Sequence, residues 1–265
     1  MTFRLPFLNR HPTVAVLRLQ GMIAAGGRAG VLNDASLAPL IERAFRKGKP
    51  AAVALQINSP GGSPVQSALI AARIRRLAEE KGIPVHAFVE DLAASGGYWL
   101  ATAADDIWAD TSSVLGSIGV ISSSFGLHDF LARHGIERRV HTAGTSKSFM
   151  DPFLPEKPED VARLKELQEP IHAAFIEQVK ARRGGRLAEG DLYDGSFWVG
   201  QKAVELGLAD GIAHMVPKLK ELYGDKVRLR PYAPRRGLLR RFGAQAIGGA
   251  LAEVEERSLL ARYGL

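Results

Sequence analysis

Short apolar, β-branched runs alternate along the chain with longer stretches whose apolar positions recur every three or four residues. Val14-Ala15-Val16-Leu17-Arg18-Leu19 has the pattern of a strand, and Ala35 to Arg46 that of a helix. Ala52 to Asn58 is a nearly unbroken apolar run, the pattern of a strand buried on both faces. After a Pro-Gly-Gly turn, Val65 to Glu80 sets Leu69, Ala72, Ile74 and Leu77 largely on one side and leaves Arg73, Arg75, Arg76, Glu79 and Glu80 for water. Gly82 ends that helix and Val85 to Val89 resumes the strand pattern, followed by expected strands at Ile107 to Ala109, Ile118 to Ile121 and Ile136 to His141. Strand, helix, strand at this spacing calls for crossover connections and mostly parallel pairing, hence an α/β layered domain.

The texture changes near Pro152. A charged stretch from Glu156 to Asp160 leads into a long amphipathic helix from about Val161 to Arg183, which Pro170 should kink or divide. Val199 to Leu206 reads as a short helix stopped by Gly207, and Leu251 to Arg262 as a terminal helix. No fixed-period repeat occurs.

The absence of cysteine excludes disulfide frameworks, cysteine-ligated metal sites and cysteine nucleophiles. The net charge of +7 sits almost wholly between Lys218 and Arg241, where nine basic residues face only Glu221 and Asp225. The rest of the chain is balanced, which argues against a nucleic-acid binder and leaves the basic segment as a possible contact for an anionic membrane surface. Residues 1–13 lack a seven-residue apolar run, and the uncharged stretch 51–72 is broken by Gln56, Asn58 and two prolines, so a soluble chain is expected.

Two segments could carry chemistry. Asn58-Ser59-Pro60-Gly61-Gly62 lies between a buried strand and a helix, where glycines free the backbone to present N–H groups to a negative oxygen. By itself it also suits a flexible turn. In Ala93-Ala94-Ser95-Gly96-Gly97-Tyr98 a serine among tiny residues again follows a strand and opens a helix. Ser95 suits an N-cap or a nucleophile with half an oxyanion hole in the Gly96 amide, and both readings stay open at this point.

None of the seven histidines forms a motif with Ser95. Lys147 stands in Thr142 to Phe149 among small and hydroxyl residues with no acid from Val140 to Met150. Burial there would favour a neutral amine able to take a serine proton, although a solvated loop lysine fits as well. Gly144-Thr145-Ser146-Lys147-Ser148 is not a phosphate loop, because Ser146 precedes the lysine and His141 stands where the first glycine belongs. No metal-ligand spacing and no dinucleotide fingerprint appear.

Together these segments resemble the signal peptide peptidase A (protease IV) family of serine peptidases, in the ClpP/crotonase superfamily. The likeness covers most of residues 14–213 and includes Ala103-Ala104-Asp105, Gly116 to Val120, Gly200 to Ala203 and Gly207 to Gly211. It implies a ClpP/crotonase-like α/β fold of repeated β-β-α units with mostly parallel sheets and a helical C-terminal extension. The corresponding domains are a short segment 1–13, a peptidase domain 14–217 and a basic tail 218–265.

Carried over by position, the resemblance makes Ser95 the nucleophile and Lys147 the general base. Gly62 and Gly96 become the oxyanion amides, and Ser117 the residue that orients the lysine. It implies a cofactor-free serine endopeptidase acting on extended apolar peptides such as signal-peptide remnants or misfolded membrane-protein segments. It also implies a homo-oligomeric ring or dome; many members carry a membrane anchor or a duplicated domain, and here a single-domain form without an anchor is expected instead, working in the cytoplasm or at the inner face of the membrane. The rival readings are an acyl-CoA hydratase or isomerase on the same fold, and a non-catalytic scaffold or membrane-surface adaptor.

Overall fold

The computed structural model of the chain describes residues 11–26, 31–144, 146–233 and 260–264. They fall into two compact units, one from residues 1–118 and 176–265 and the other from 119–175.

The larger unit is built on one sheet. Its strands are β1 (Thr13–Gln20), β2 (Ala52–Ser59), β3 (Val85–Ala94), β4 (Asp106–Ala109), β5 (Val114–Gly116), β6 (Phe197–Val199), β7 (Gly211–Ile212) and β8 (Arg228–Tyr232). The hydrogen-bonded order is β6-β5-β3-β2-β1-β8, with β4 between β3 and β7. Every pairing is parallel except β5 with β6. The expected α/β architecture with a mostly parallel sheet is therefore present. β3 serves two neighbours: His86 to Val89 pair with β4, and Leu92 to Ala94 pair with β5.

The crossovers are α1 (Asp34–Arg46) and α2 (Pro64–Lys81), followed by the short α3 (Gly96–Ala101). Asn33 caps α1 by accepting the Ser36 N–H at 2.9 Å, and Leu37, Ile41, Ala44 and Phe45 form its buried stripe. α2 starts at the Ser63 cap with Pro64 in its first turn and stops at Gly82, whose φ of 58° is the left-handed ending glycine permits. Ile70, Ile74 and Leu77 of α2 are buried, while Arg76 reaches Glu80 in the solvent.

The second unit holds α4 (His128–Arg133), which buries none of its residues, and most of α5 (Pro158–Arg183), which carries the chain back into the first unit. The remaining helices are α6 (Gly200–Glu205) and α7 (Met215–Tyr223). Among the described residues no helix is long and apolar enough to cross a membrane.

The structure corrects four sequence-based expectations. Residues 118–121 form no strand; the pairing strand is β5, just upstream. Residues 136–141 also form none, for Ile136 and Val140 are 52% and 38% exposed and find no sheet to join. On α2, Leu69 and Ala72, expected on the apolar side, are exposed, and Ile70 and Ala71 are buried in their place. Pro170 does not divide α5: it faces solvent, as does Glu166, so water can take the carbonyl whose helical partner the proline removes. The basic stretch from Lys218 supplies much of α7 and all of β8, the latter pairing with β1. The terminal helix expected over Leu251 to Arg262 lies largely outside the described residues.

Candidate active site

Strands β2 and β3 end side by side, and their register slips just before they do. Ile57 pairs with Val89 but Ser59 pairs with Ala93, so β3 carries two additional residues over that interval. The additional length is held by side chains, with Gln56 donating to Glu90 at 2.5 Å and Asn58 to Asp91 at 2.6 Å. Such bulges re-aim a strand end. Here the end is Ser95.

Ser95 has φ 51° and ψ −123°, a conformation unfavourable for any residue with a Cβ. It occupies the N-cap position of α3, yet its hydroxyl makes no capping bond. Its backbone is fixed on both sides: the N–H donates to the Gly116 carbonyl at 2.8 Å, and the carbonyl accepts from Trp99 N–H at 3.0 Å. Every residue of α3 is buried, and the Tyr98 hydroxyl donates to the Leu208 carbonyl at 2.9 Å. The hydroxyl of Ser95 is thus presented by a rigid turn and left uncommitted by it.

The glycines beside it have little room. A Cβ on Gly96 would lie 2.4 Å from Ser67 Oγ, and one on Gly97 would lie 2.3 Å from the Ser59 carbonyl oxygen. Across from them, Gly62 (φ 134°) bridges to Ile23 in parallel fashion. The bridge uses the Gly61 carbonyl, which accepts from Ile23 N–H, and the Ser63 N–H, which donates to the Ile23 carbonyl. Gly62's own amide takes no part, and among the described residues neither it nor the Gly96 amide meets an acceptor. Two free N–H groups therefore stand on the two turns that flank the serine.

Ser117, also at positive φ (53°), follows β5. Its neighbour Gly116 supplies the acceptor for Ser95 N–H, so the two serine turns are joined through one backbone bond. Ser117 N–H donates to the Ser196 carbonyl at 2.7 Å, and Ser117 Oγ accepts from the Tyr263 hydroxyl at 3.2 Å. The structure thus brings Ser95, Gly96, Gly62 and Ser117 together in the larger unit.

Lys147 belongs to the second unit, in a turn over residues 146–150, with its N–H donating to the Gly144 carbonyl at 3.3 Å. That unit is tied by the Arg138 to Asp151 ion pair at 2.6 Å and by the Leu127 N–H donating to the Pro152 carbonyl. Lys147 is exposed in that unit.

Two histidines are committed elsewhere: His86 binds Asp106 and Tyr223, and His214 binds Asp110. Sequence reasoning missed Ser59, Ser67 and Tyr263. Ser59, whose hydroxyl accepts from Gly61 N–H at 3.2 Å, lay within a segment already singled out. Ser67 is a polar residue on the buried stripe of α2, a visible irregularity. Tyr263 gave no local signal.

A family model described as Peptidase family S49 matches residues 77–224. Over 271 residues the chain is 49% identical to the Na(+)/H(+) antiporter NhaA of Brucella melitensis, a match covering 95% of this chain and 37% of that protein. It is 30% identical over 203 residues to the chloroplastic serine protease SPPA of Arabidopsis thaliana, covering 75% of this chain and 29% of that one. The chain thus spans well under half the length of either relative. A solved membrane-bound stomatin-specific protease superposes with a TM-score of 0.49 at 16% identity, over 85% of this chain and 99% of that one.

Proposed function

The chain belongs to peptidase family S49, and from that membership we propose that it is a serine endopeptidase with Ser95 as nucleophile and Lys147 as general base. The observation that carries the reading is Ser95 itself: a strained, positive-φ serine whose hydroxyl caps nothing, on a turn that meets the Gly61-Gly62 turn backbone to backbone. A purely structural N-cap would spend its hydroxyl on the helix and would have no reason to hold a disfavoured backbone.

In the proposed reaction the neutral amine of Lys147 takes the hydroxyl proton as Ser95 Oγ bonds to the peptide carbonyl carbon. The carbonyl electrons move to oxygen, and the Gly62 and Gly96 N–H groups hold that oxyanion. Collapse breaks the C–N bond, and the leaving amine takes the proton from the lysine. Water then repeats the sequence on the acyl-enzyme, with Ser117 Oγ accepting an N–H from the lysine throughout. The homo-oligomer implied by the family resemblance is proposed with it.

The proposed substrates are extended apolar peptides, including signal-peptide remnants and segments of misfolded membrane proteins. The catalytic domain is proposed to run over 14–217, with 218–265 as an extension. Its basic residues are proposed to rest on an anionic membrane surface at the cytoplasmic side. Lys218 is already engaged, lying over the Trp108 ring at 4.2 Å and bound to Glu221.

The test is hydrolysis of a fluorogenic, apolar-biased peptide library by wild type, Ser95→Ala and Lys147→Ala, with oligomeric state measured for all three. Activity confined to wild type is expected, rising toward alkaline pH as an amine gives up its proton. Equal turnover by all three overturns the dyad, and no cleavage by any of them favours the adaptor reading.

A further inference from the structure

Ser117 is held from a direction that the proposed mechanism does not use. Tyr263, 146 residues away in sequence, places its hydroxyl 3.2 Å from Ser117 Oγ. The tyrosine is well supported. Its ring meets Phe197 edge-on, with centroids 5.1 Å apart and planes at 69°, and it packs with Leu260 against Leu92, Ala94 and Val114. Those three residues are almost wholly buried and belong to the ends of β3 and β5, the strands that deliver Ser95 and Ser117. The chain thus returns, after leaving the sheet at β8 on the opposite edge, to the strand ends beside the candidate site.

We propose that Tyr263 is a positioning residue of the site and acts through Ser117; the inference rests on the reading of Ser117 as the residue that orients the base. The chemistry is a matter of which partner donates. A lysine serving as general base needs its single lone pair for the Ser95 proton, so it must approach Ser117 as an N–H donor and Ser117 Oγ must accept. A serine hydroxyl is free to rotate and could instead donate to that lone pair, which would silence the base. A phenol O–H donated to one lone pair of Ser117 Oγ occupies one of the three positions around that oxygen, holds the side chain in its rotamer and leaves the other lone pair able to accept from the lysine. The apolar packing of Tyr263 holds the phenol in place, and Ser117's own backbone is pinned by Ser196.

The experiment uses the full chain with Tyr263→Phe, Ser117→Ala, the double variant, Ser95→Ala and Lys147→Ala, all assayed on one fluorogenic apolar peptide across pH. Tyr263→Phe keeps the ring on Phe197 and removes only the hydroxyl. The expected result is a kcat lower by about fivefold, the weight of one neutral hydrogen bond, with KM unchanged. The double variant should be no slower than Ser117→Ala alone, since both substitutions interrupt one chain of contacts. A thermal midpoint equal to that of wild type would show that the loss is not one of folding.

Wild-type turnover by Tyr263→Phe overturns the proposal. So does a gain in kcat/KM, which would mean that residues 260–264 cover the site, and so does a change in KM alone, which would make Tyr263 a wall of the peptide groove. Independent, multiplying losses from Tyr263→Phe and Ser117→Ala also overturn it. These outcomes are distinct from failure of the parent reading, which is reported by the Ser95→Ala and Lys147→Ala arms.

Discussion

A Cβ built on Gly61 would lie 2.6 Å from the amide nitrogen of Gly96, so the turn after β2 and the turn after β3 meet backbone to backbone. Gly61 also has φ 93°, which a residue with a side chain adopts only under strain. Gly61→Ala should therefore push the Gly96 amide away from Ser95. The expected loss is about 2–4 kcal/mol in stability, from overpacking plus backbone strain. In the folded fraction kcat should fall about 100-fold, because the serine and the amide lose their common geometry. Gly190→Ala is the control: it shares a positive φ of 135° but faces open space, so it should show strain without the loss of turnover.

Tyr98 lies in the first turn of α3 and is fully buried, with its hydroxyl on the carbonyl of Leu208, itself a buried residue. Tyr98→Phe strands that carbonyl and should cost about 1–3 kcal/mol by chemical denaturation. Burial pushes the Tyr98 phenol far above its ordinary value, a rise that the Arg183 cation opposes and Asp210 adds to. A folded pKa raised above the unfolded one means that the unfolded chain releases this proton first. The stabilisation is therefore complete below about pH 10 and declines as pH rises beyond it. Stability of the wild type should fall more steeply above that pH than stability of Tyr98→Phe, and a parallel decline would contradict the assignment.

Acid acts on a different contact. Arg73 of α2 grips Asp34 at the start of α1 through two bonds of 2.7 Å, and the hydrogen bond from Arg73 holds the Asp34 carboxyl below its ordinary value. A carboxyl whose folded pKa is depressed contributes stability above its unfolded pKa of about 4 and loses it as pH falls through the folded value. Asp34→Asn should destabilise the protein by about 1 kcal/mol near neutral pH, where the paired fork is intact. The difference from wild type should shrink as both are titrated from above the unfolded pKa down through the lowered folded one. Urea midpoints measured at three pH values would decide it.

The parts of the fold legible in the sequence were those whose burial is continuous. β1, β2 and β3 lie inside a parallel sheet and read as apolar runs, and the helices α1 and α2 were legible as elements, although on α2 only Ile74 and Leu77 of the expected apolar side are buried. What escaped was short or at an edge. β6 has only three residues, with Phe197 and Val199 42% and 47% exposed, and β8 mixes arginines with Pro231, a composition an edge strand tolerates and a tail shares. At the candidate site, Ser95 and its glycines were legible because small residues between a strand and a helix are informative locally. Tyr263 was not, because its meeting with Ser117 is a product of the whole topology. The unused hydroxyl and the positive φ of Ser95 are likewise conformational facts that residue types alone leave open between cap and nucleophile.

That open choice is settled by one substitution. If Ser95 were a structural cap, Ser95→Gly would remove a useful side chain at a helix start and change stability by a few tenths of a kcal/mol. In the structure the side chain caps nothing, while the residue sits at φ 51° and ψ −123°, where glycine rests without strain. Ser95→Gly should therefore stabilise the fold, by about 1 kcal/mol once the entropy glycine adds to the unfolded chain is set against the strain it relieves. The same substitution should abolish peptide hydrolysis. Ser95→Ala, which keeps the Cβ and hence the strain, should abolish hydrolysis with little change in thermal midpoint. A stabilised, inactive glycine variant beside an inactive alanine variant of wild-type stability is the signature of a residue held in a costly conformation for its hydroxyl. A destabilised glycine variant would mean that the hydroxyl supports the fold, and the nucleophile reading of Ser95 would lose its main support.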